Sequence, residues 1–145
     1  MTPPRERFHE TRIDVRFHEV DSYDVVWHGH YVAWLEVARG ELARAFGIAH
    51  ERLAERGYMI PIVSLRLDYK APARQGDAVV VGARLREPRT AMLELDYEVR
   101  HSGGQLLATA ESRQVVLNGS GELLVTLPSV VKEAVARIRA FHAGG

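Results

Sequence analysis

A change of hydrophobic period along the chain limits its fold more than any other feature. Between residues 31 and 46 the apolar side chains Tyr31, Trp34, Leu35, Ala38, Leu42 and Phe46 recur three or four positions apart. That is the period of a helix with one broad apolar stripe, and such a stripe must be buried against something. The spacing predicts a long helix from about residue 29 to 46, stopped by Gly47. From residue 63 the period drops to two. Val63, Leu65, Leu67 and Tyr69 alternate with polar residues, as do Val79, Val81, Ala83 and Leu85, and then Leu93, Leu95, Tyr97 and Val99. Leu106 to Leu117 reads as one long further strand, and Glu122 to Thr126 as a short strand or an extension of it. Pro72, Gly76-Asp77, Glu87-Pro88-Arg89, Ser102-Gly103-Gly104 and Asn118-Gly119-Ser120-Gly121 supply the turns between them.

Upstream, residues 12–19 alternate Ile13, Val15 and Phe17 with polar residues, which predicts a half-buried first strand. His50 to Arg56 reads as a short helix closed by Gly57. Ser129 is a fair N-cap for a terminal helix with Val130, Ala134, Ile138 and Phe141 on one side. A helix followed by consecutive antiparallel strands is an α+β pattern. The economical way to bury both faces is a curved antiparallel sheet of about five strands wrapped around one long helix. At 145 residues the chain suits a single domain, residues 1–145, with enough length for one real core.

Composition removes several classes of function. There are no cysteines, so disulfides, thiolate metal sites and cysteine nucleophiles are excluded. Nineteen basic residues balance nineteen acidic ones, and no strand carries an aromatic-basic pattern, which argues against nucleic acid as partner. Only Lys70 and Lys132 among the bases are lysine; arginine is the better phosphate fork, so a local phosphate site fits inside a neutral protein. No apolar run approaches the ~20 residues of a membrane span. Met1-Thr-Pro-Pro-Arg-Glu-Arg leads into no apolar segment, and a cytoplasmic location is the expectation. No Gly-x-Ser-x-Gly elbow, P-loop or dinucleotide fingerprint is present.

The chemically informative stretch runs from Glu19 to Arg39, from a strand end through a polar loop into the long helix. Asp21 lies on the loop, seven residues before His28, and His28 and Gly29 fall where the helix begins. The first amides of a helix lack intrahelical partners and carry the positive end of its dipole. A carbonyl oxygen placed there is polarised, and a nearby carboxylate can attack the carbonyl carbon or take a proton from water. That is a compact arrangement for acyl transfer. His28 and His30 are two residues apart at a helix start, so their side chains diverge, and no third ligand lies nearby; no metal is expected.

The segment Asp21-x-x-x-Val25-Val26-Trp27-His28-Gly29-x-Tyr31, followed by Glu36-x-Ala38-Arg39, resembles the signature of hotdog-fold acyl-CoA thioesterases, in the branch of 4-hydroxybenzoyl-CoA thioesterase and the YbgC-type enzymes. The order of elements is also the hotdog order, so the resemblance covers nearly the whole chain. It implies that Asp21 is the catalytic aspartate, as nucleophile or as general base on water. It further implies that the backbone amide at His28, beside Gly29, polarises the thioester carbonyl. Trp27, Tyr31 and Asp24 are the expected substrate contacts, although Tyr31, Trp34 and Leu35 are expected first as core. Asp24 departs from the family, which commonly has glycine three residues after the aspartate; asparagine and aspartate tolerate φ > 0 better than most residues. Glu36 either pairs with Arg39 or serves as a second acid.

The resemblance also implies a homodimer joined edge to edge along its sheets, with two active sites at the interface, or a dimer of dimers. Coenzyme A would lie along that interface as part of the substrate, with no separate cofactor. Lys70, Arg74, Arg86 and Arg89, near strand ends, are the candidates for its phosphates. The expected substrate is a small aliphatic or aromatic acyl-CoA. An acyl group on a carrier protein, a hydratase on the same fold, and a thioester-binding protein without turnover are the competing readings.

Overall fold

The computed structural model describes residues 5–16, 19–21, 23 and 25–145. Its elements are β1 (His9–Asp14), α1 (His30–Ala45), α2 (His50–Glu55), β2 (Tyr58–Met59), β3 (Ile62–Tyr69), β4 (Ala78–Leu85), β5 (Leu93–His101), β6 (Leu106–Gln114), β7 (Leu117–Asn118) and α3 (Ser129–His142). Five strands form one antiparallel sheet in the order β1-β4-β5-β6-β3, and β2 and β7 pair separately.

Alternation within the strands produces the core. Val79, Val81, Ala83 and Leu85 of β4 and Leu93, Leu95, Tyr97 and Val99 of β5 are buried on one face of the sheet. Tyr31, Trp34, Leu35, Ala38 and Leu42 of α1 are buried in the same core, which is the helical stripe predicted from the sequence. Burying each large aliphatic side chain of this seam contributes roughly 1.5–3 kcal/mol. Val131, Ala134, Val135 and Ile138 of α3 extend the core beyond the end of β4.

Two buried polar chains run through the core. Ser112 Oγ donates to Gln114 Oε1 (2.6 Å) and Gln114 Nε2 to the Leu93 carbonyl (2.8 Å), so the Tyr97 hydroxyl is the donor in its 2.8 Å contact with Ser112 Oγ. Burial pushes the Tyr97 phenol up to about 12. His142 is fully buried. Its Nε2 accepts the Leu85 amide (3.0 Å), which leaves Nδ1–H to donate to the Arg7 carbonyl (2.8 Å).

Several boundaries differ from the sequence reading. The first strand occupies residues 9–14 rather than 12–19, because pairing with β4 in the register His9↔Ala83 to Asp14↔Ala78 ends where the chain turns toward α1. Phe17 and His18 lie outside the described residues. β6 stops at Gln114, and Leu117–Asn118 leaves the sheet to pair with Tyr58–Met59. Residues 122–126 form no strand; Leu123 makes one bridge to Leu117. The apolar alternation of β3 is not covered by the helix: Val63, Leu65 and Tyr69 are exposed, because β3 is the edge strand farthest from β1, and α1 packs chiefly on β1 and β4. Among the described residues, no helix is long and apolar enough to cross a membrane.

Candidate active site

The chain between β1 and α1 folds into a narrow antiparallel loop. The Trp27 amide donates to the Glu19 carbonyl (2.9 Å), Val20 bridges Val26, and the Asp21 amide donates to the Val25 carbonyl (2.8 Å). The returning arm is tied in turn to the β3–β4 connection: the Val26 amide donates to the Ala73 carbonyl (2.8 Å), and Val25 bridges Arg74. This ladder sets Asp21 beside the arm that leads directly into His28 and Gly29.

The Asp21 residue is exposed, and its Oδ1 accepts the Tyr23 amide (2.8 Å) and, at the limit of a hydrogen bond, the Val25 amide (3.5 Å). Oδ2 takes no hydrogen bond from a described residue. Asp24 lies outside the described residues.

Helix α1 begins without a side-chain cap. Gly29 is its N-cap, with helical φ −67° and ψ −24°. Among the described residues, the amides of His28 and Gly29 have no acceptor. Two unpaired donors at the positive end of a helix dipole form a site for a carbonyl oxygen that is gaining negative charge. The His28 carbonyl, by contrast, is held: the Tyr69 hydroxyl donates to it at 2.6 Å. Trp27 is half exposed and its ring lies directly over Gly29, where an added Cβ would come within 2.2 Å of the indole. The indole also packs against the rings of His28 and His30. Tyr31 is turned into the core. Its hydroxyl accepts the Ala73 amide (3.1 Å) and its ring meets Trp34 and Tyr69, so it forms the floor beneath the site rather than an open contact. Glu36 pairs with Arg39 (2.8 Å), and both line the apolar cavity that Leu42 also borders.

The four basic candidates separate into two groups. Lys70 and Arg74 are exposed and belong to the end of β3 and the connection that contacts the Asp21 loop. Arg86 and Arg89 flank the β4–β5 turn at the opposite end of the sheet. The Arg86 guanidinium is engaged by three carboxylates, Asp96 (2.6 Å), Glu94 (2.7 Å) and Glu111 (2.8 Å). The same remote end holds an apolar cavity of about 270 Å³, lined by Leu42, Ile48, Met59, Ile60, Leu93 and Gln114 among others.

Two residues of the site had no signature in the sequence. Glu19 is a carboxylate in the core, 1% exposed. Its Oε2 accepts the Trp34 indole N–H (2.9 Å), and its Oε1 accepts the Arg16 amide (2.8 Å). Burial pushes its pKa up, but the Arg16 amide, the Trp34 indole and the Arg16 guanidinium outweigh that, and the net shift is downward. In the sequence, Tyr69 is only one apolar position of an alternating strand.

Comparison with known proteins agrees with this architecture. A family model described as the thioesterase-like superfamily matches residues 15–135. The Synechocystis protein sll0410 is 32% identical over 136 residues, covering 92% of this chain and 82% of that protein. The acyl-CoA thioester hydrolase YbgC of Escherichia coli is 26% identical over 99 residues, 68% of this chain and 74% of that protein. Among solved structures, a 1,4-dihydroxy-2-naphthoyl-CoA thioesterase from Synechocystis superposes with a TM-score of 0.81 at 20% identity, covering 91% of this chain and 97% of that one. A long helix packed on a five-stranded antiparallel sheet, matched by the family model over most of its length, places this chain in the thioesterase-like superfamily as a hotdog-fold thioester hydrolase.

Proposed function

We propose that the protein hydrolyses a small acyl-CoA to the free acid and coenzyme A, with Asp21 as the acting carboxylate. The observation that carries this reading is an exposed Asp21 carboxylate on the loop whose returning arm leads into the uncapped His28 and Gly29 amides. The thioester oxygen sits on those amides, which stabilise the oxyanion as it forms. Asp21 then follows one of two courses. Its oxygen attacks the carbonyl carbon, expelling coenzyme A thiolate and leaving a mixed anhydride that water cleaves. Alternatively, Asp21 takes a proton from water as the water attacks. Lys70 and Arg74, on the connection that meets the Asp21 loop, would bind the phosphates of coenzyme A. The naphthoyl substrate named for the Synechocystis structure and the acyl-CoA named for YbgC are consistent with an aromatic or short aliphatic acyl group.

The working unit in this proposal is a dimer. β3 is a sheet edge carrying exposed Val63, Leu65 and Tyr69, and such edges demand cover. An antiparallel second copy along β3 would set Tyr69 near the partner's Ile62. The apolar cavity beside the partner's Met59 and Ile60 would then adjoin the Asp21 loop and receive the acyl group.

Free-thiol release from a panel of acyl-CoAs, with wild type beside Asp21→Ala, tests the reading. A loss of 10²-fold or more in kcat supports it, and full activity in the variant sinks it. Acyl groups offered on carrier protein in the same assay separate the two substrate classes. Binding of acyl-CoA without turnover would identify a binding protein instead.

A further inference from the structure

We infer that Glu19 is a positioning residue for Asp21, acting through a clamp between its carboxylate and the indole of Trp34. This rests on the reading of Asp21 as the acting carboxylate. An ionised carboxylate that is 1% exposed is costly unless it is fully paired, and a core of this size offers apolar alternatives at the same place. What Glu19 does there is specific. One oxygen holds Trp34, in the second turn of α1; the other holds the amide of Arg16, where the loop begins, with the Arg16 guanidinium at 3.4 Å. Its main chain is the first rung of the loop ladder, accepting the amide of Trp27, the residue before His28. Asp21 is two residues farther along the same arm, on the third rung. The side chain therefore fixes the loop to the helix, and the backbone fixes the helix start to the loop. The distance between Asp21 and the His28 and Gly29 amides is set by both. In acyl transfer, displacement of a reacting group by about 1 Å costs on the order of 10²-fold in rate.

Glu19→Gln and Trp34→Phe test the clamp. The first keeps shape but removes the charge that receives the Arg16 amide; the second removes the indole N–H and also shrinks a buried ring, so its kinetics are read beside its thermal melt. Each variant is assayed for kcat and KM on the best acyl-CoA substrate, alongside circular dichroism, a thermal melt and Asp21→Ala. The expected result is a kcat lowered 10-fold or more, with KM within about threefold of wild type, in protein that melts cooperatively well above the assay temperature. Wild-type kcat together with a lowered Tm in both variants would show a merely structural role and overturn the inference. If Glu19→Gln does not fold, Trp34→Phe alone decides between those outcomes. Full activity in Asp21→Ala would remove the underlying functional reading, and the inference with it. That result is distinct from an inactive Asp21→Ala beside a fully active Glu19→Gln, which overturns the clamp alone.

Discussion

The Tyr69 hydroxyl donates a 2.6 Å hydrogen bond to the carbonyl of His28, tying the end of the edge strand β3 to the first turn of α1. The peptide that carries this carbonyl also carries the Gly29 amide. A bond to the carbonyl thus fixes the direction of one of the two amides assigned to the oxyanion. Tyr69→Phe removes the donor and keeps the ring, which also meets Tyr31 edge-on at 5.0 Å. The bond is half exposed, so its net worth to stability is about 0.5–1.5 kcal/mol. The expected outcome is a fall of roughly 3- to 10-fold in kcat/KM, with Tm lowered by only a few degrees. Steady-state kinetics and a thermal melt on the same preparation check it. An unchanged kcat/KM would show that the helix start holds its orientation without Tyr69.

Gly29 and Trp27 make a second prediction. The backbone of Gly29 is helical, so alanine is not strained there by φ. Its Cβ, however, would fall 2.2 Å from Cζ3 of Trp27. That ring is half exposed, so it is the part that moves. Gly29→Ala is expected to fold, with helix stability changed by about 1 kcal/mol or less. Catalysis is expected to fall more than stability, because the displaced indole covers the helix start. Comparing KM and kcat with the change in Trp fluorescence tests this; an unaltered emission spectrum with wild-type kinetics would contradict it.

Much of this architecture is legible from periodicity. The stripe from Tyr31 to Leu42 and the alternation in β4 and β5 are local patterns that the buried core enforces. The end of β6 is not legible, since Gln114 and Leu117 continue one apolar-rich run and only pairing with Tyr58–Met59 draws the chain away. The site divides in the same way. Asp21, His28 and Gly29 are picked out by the resemblance of their segment to the hotdog thioesterase signature. Glu19 looks like an ordinary loop carboxylate until Trp34, fifteen residues on, is seen to donate into it. Arg86 looks like a free cation because Glu94 and Asp96 of β5 and Glu111 of β6 are brought to it only by strand register. Side-chain partners set by tertiary contact leave no periodic trace.

That register makes the basic residues separable by experiment. Arg86→Ala would leave Asp96, Glu94 and Glu111 facing one another on the outer face of the sheet with Arg84 as the remaining partner of Asp96. Partly exposed ion pairs are individually weak, but a network of this kind is expected to lower Tm by about 2–5 °C when its centre is removed. KM for acyl-CoA is expected to stay within twofold of wild type. Lys70→Ala and Arg74→Ala should do the opposite, raising KM about 3- to 10-fold with little change in Tm. Equal KM effects for all three variants would refute the assignment of the phosphates to the β3 end.

Burial of His142 sets the expected sign of a pH dependence. Burial pulls its pKa below the ordinary value, assisted by the charges of Arg139 and Arg84. The hydrogen bond to the Arg7 carbonyl and the charge of Glu6 oppose that shift. The folded state therefore favours the neutral ring, which Nε2 needs in order to accept the Leu85 amide. An unfolded chain takes up the proton near pH 6.5, before the folded chain does, so the stabilisation is complete above that pH. It is lost progressively as pH falls from about 6.5 toward the folded pKa. Thermal melts between pH 8 and pH 5 should show a decline in Tm that begins near 6.5. His142→Ala should be less stable at pH 8, since it leaves a buried Leu85 amide and Arg7 carbonyl without partners. It should also lose the part of the decline that belongs to His142. An identical slope in wild type and variant would assign the acid sensitivity to other groups.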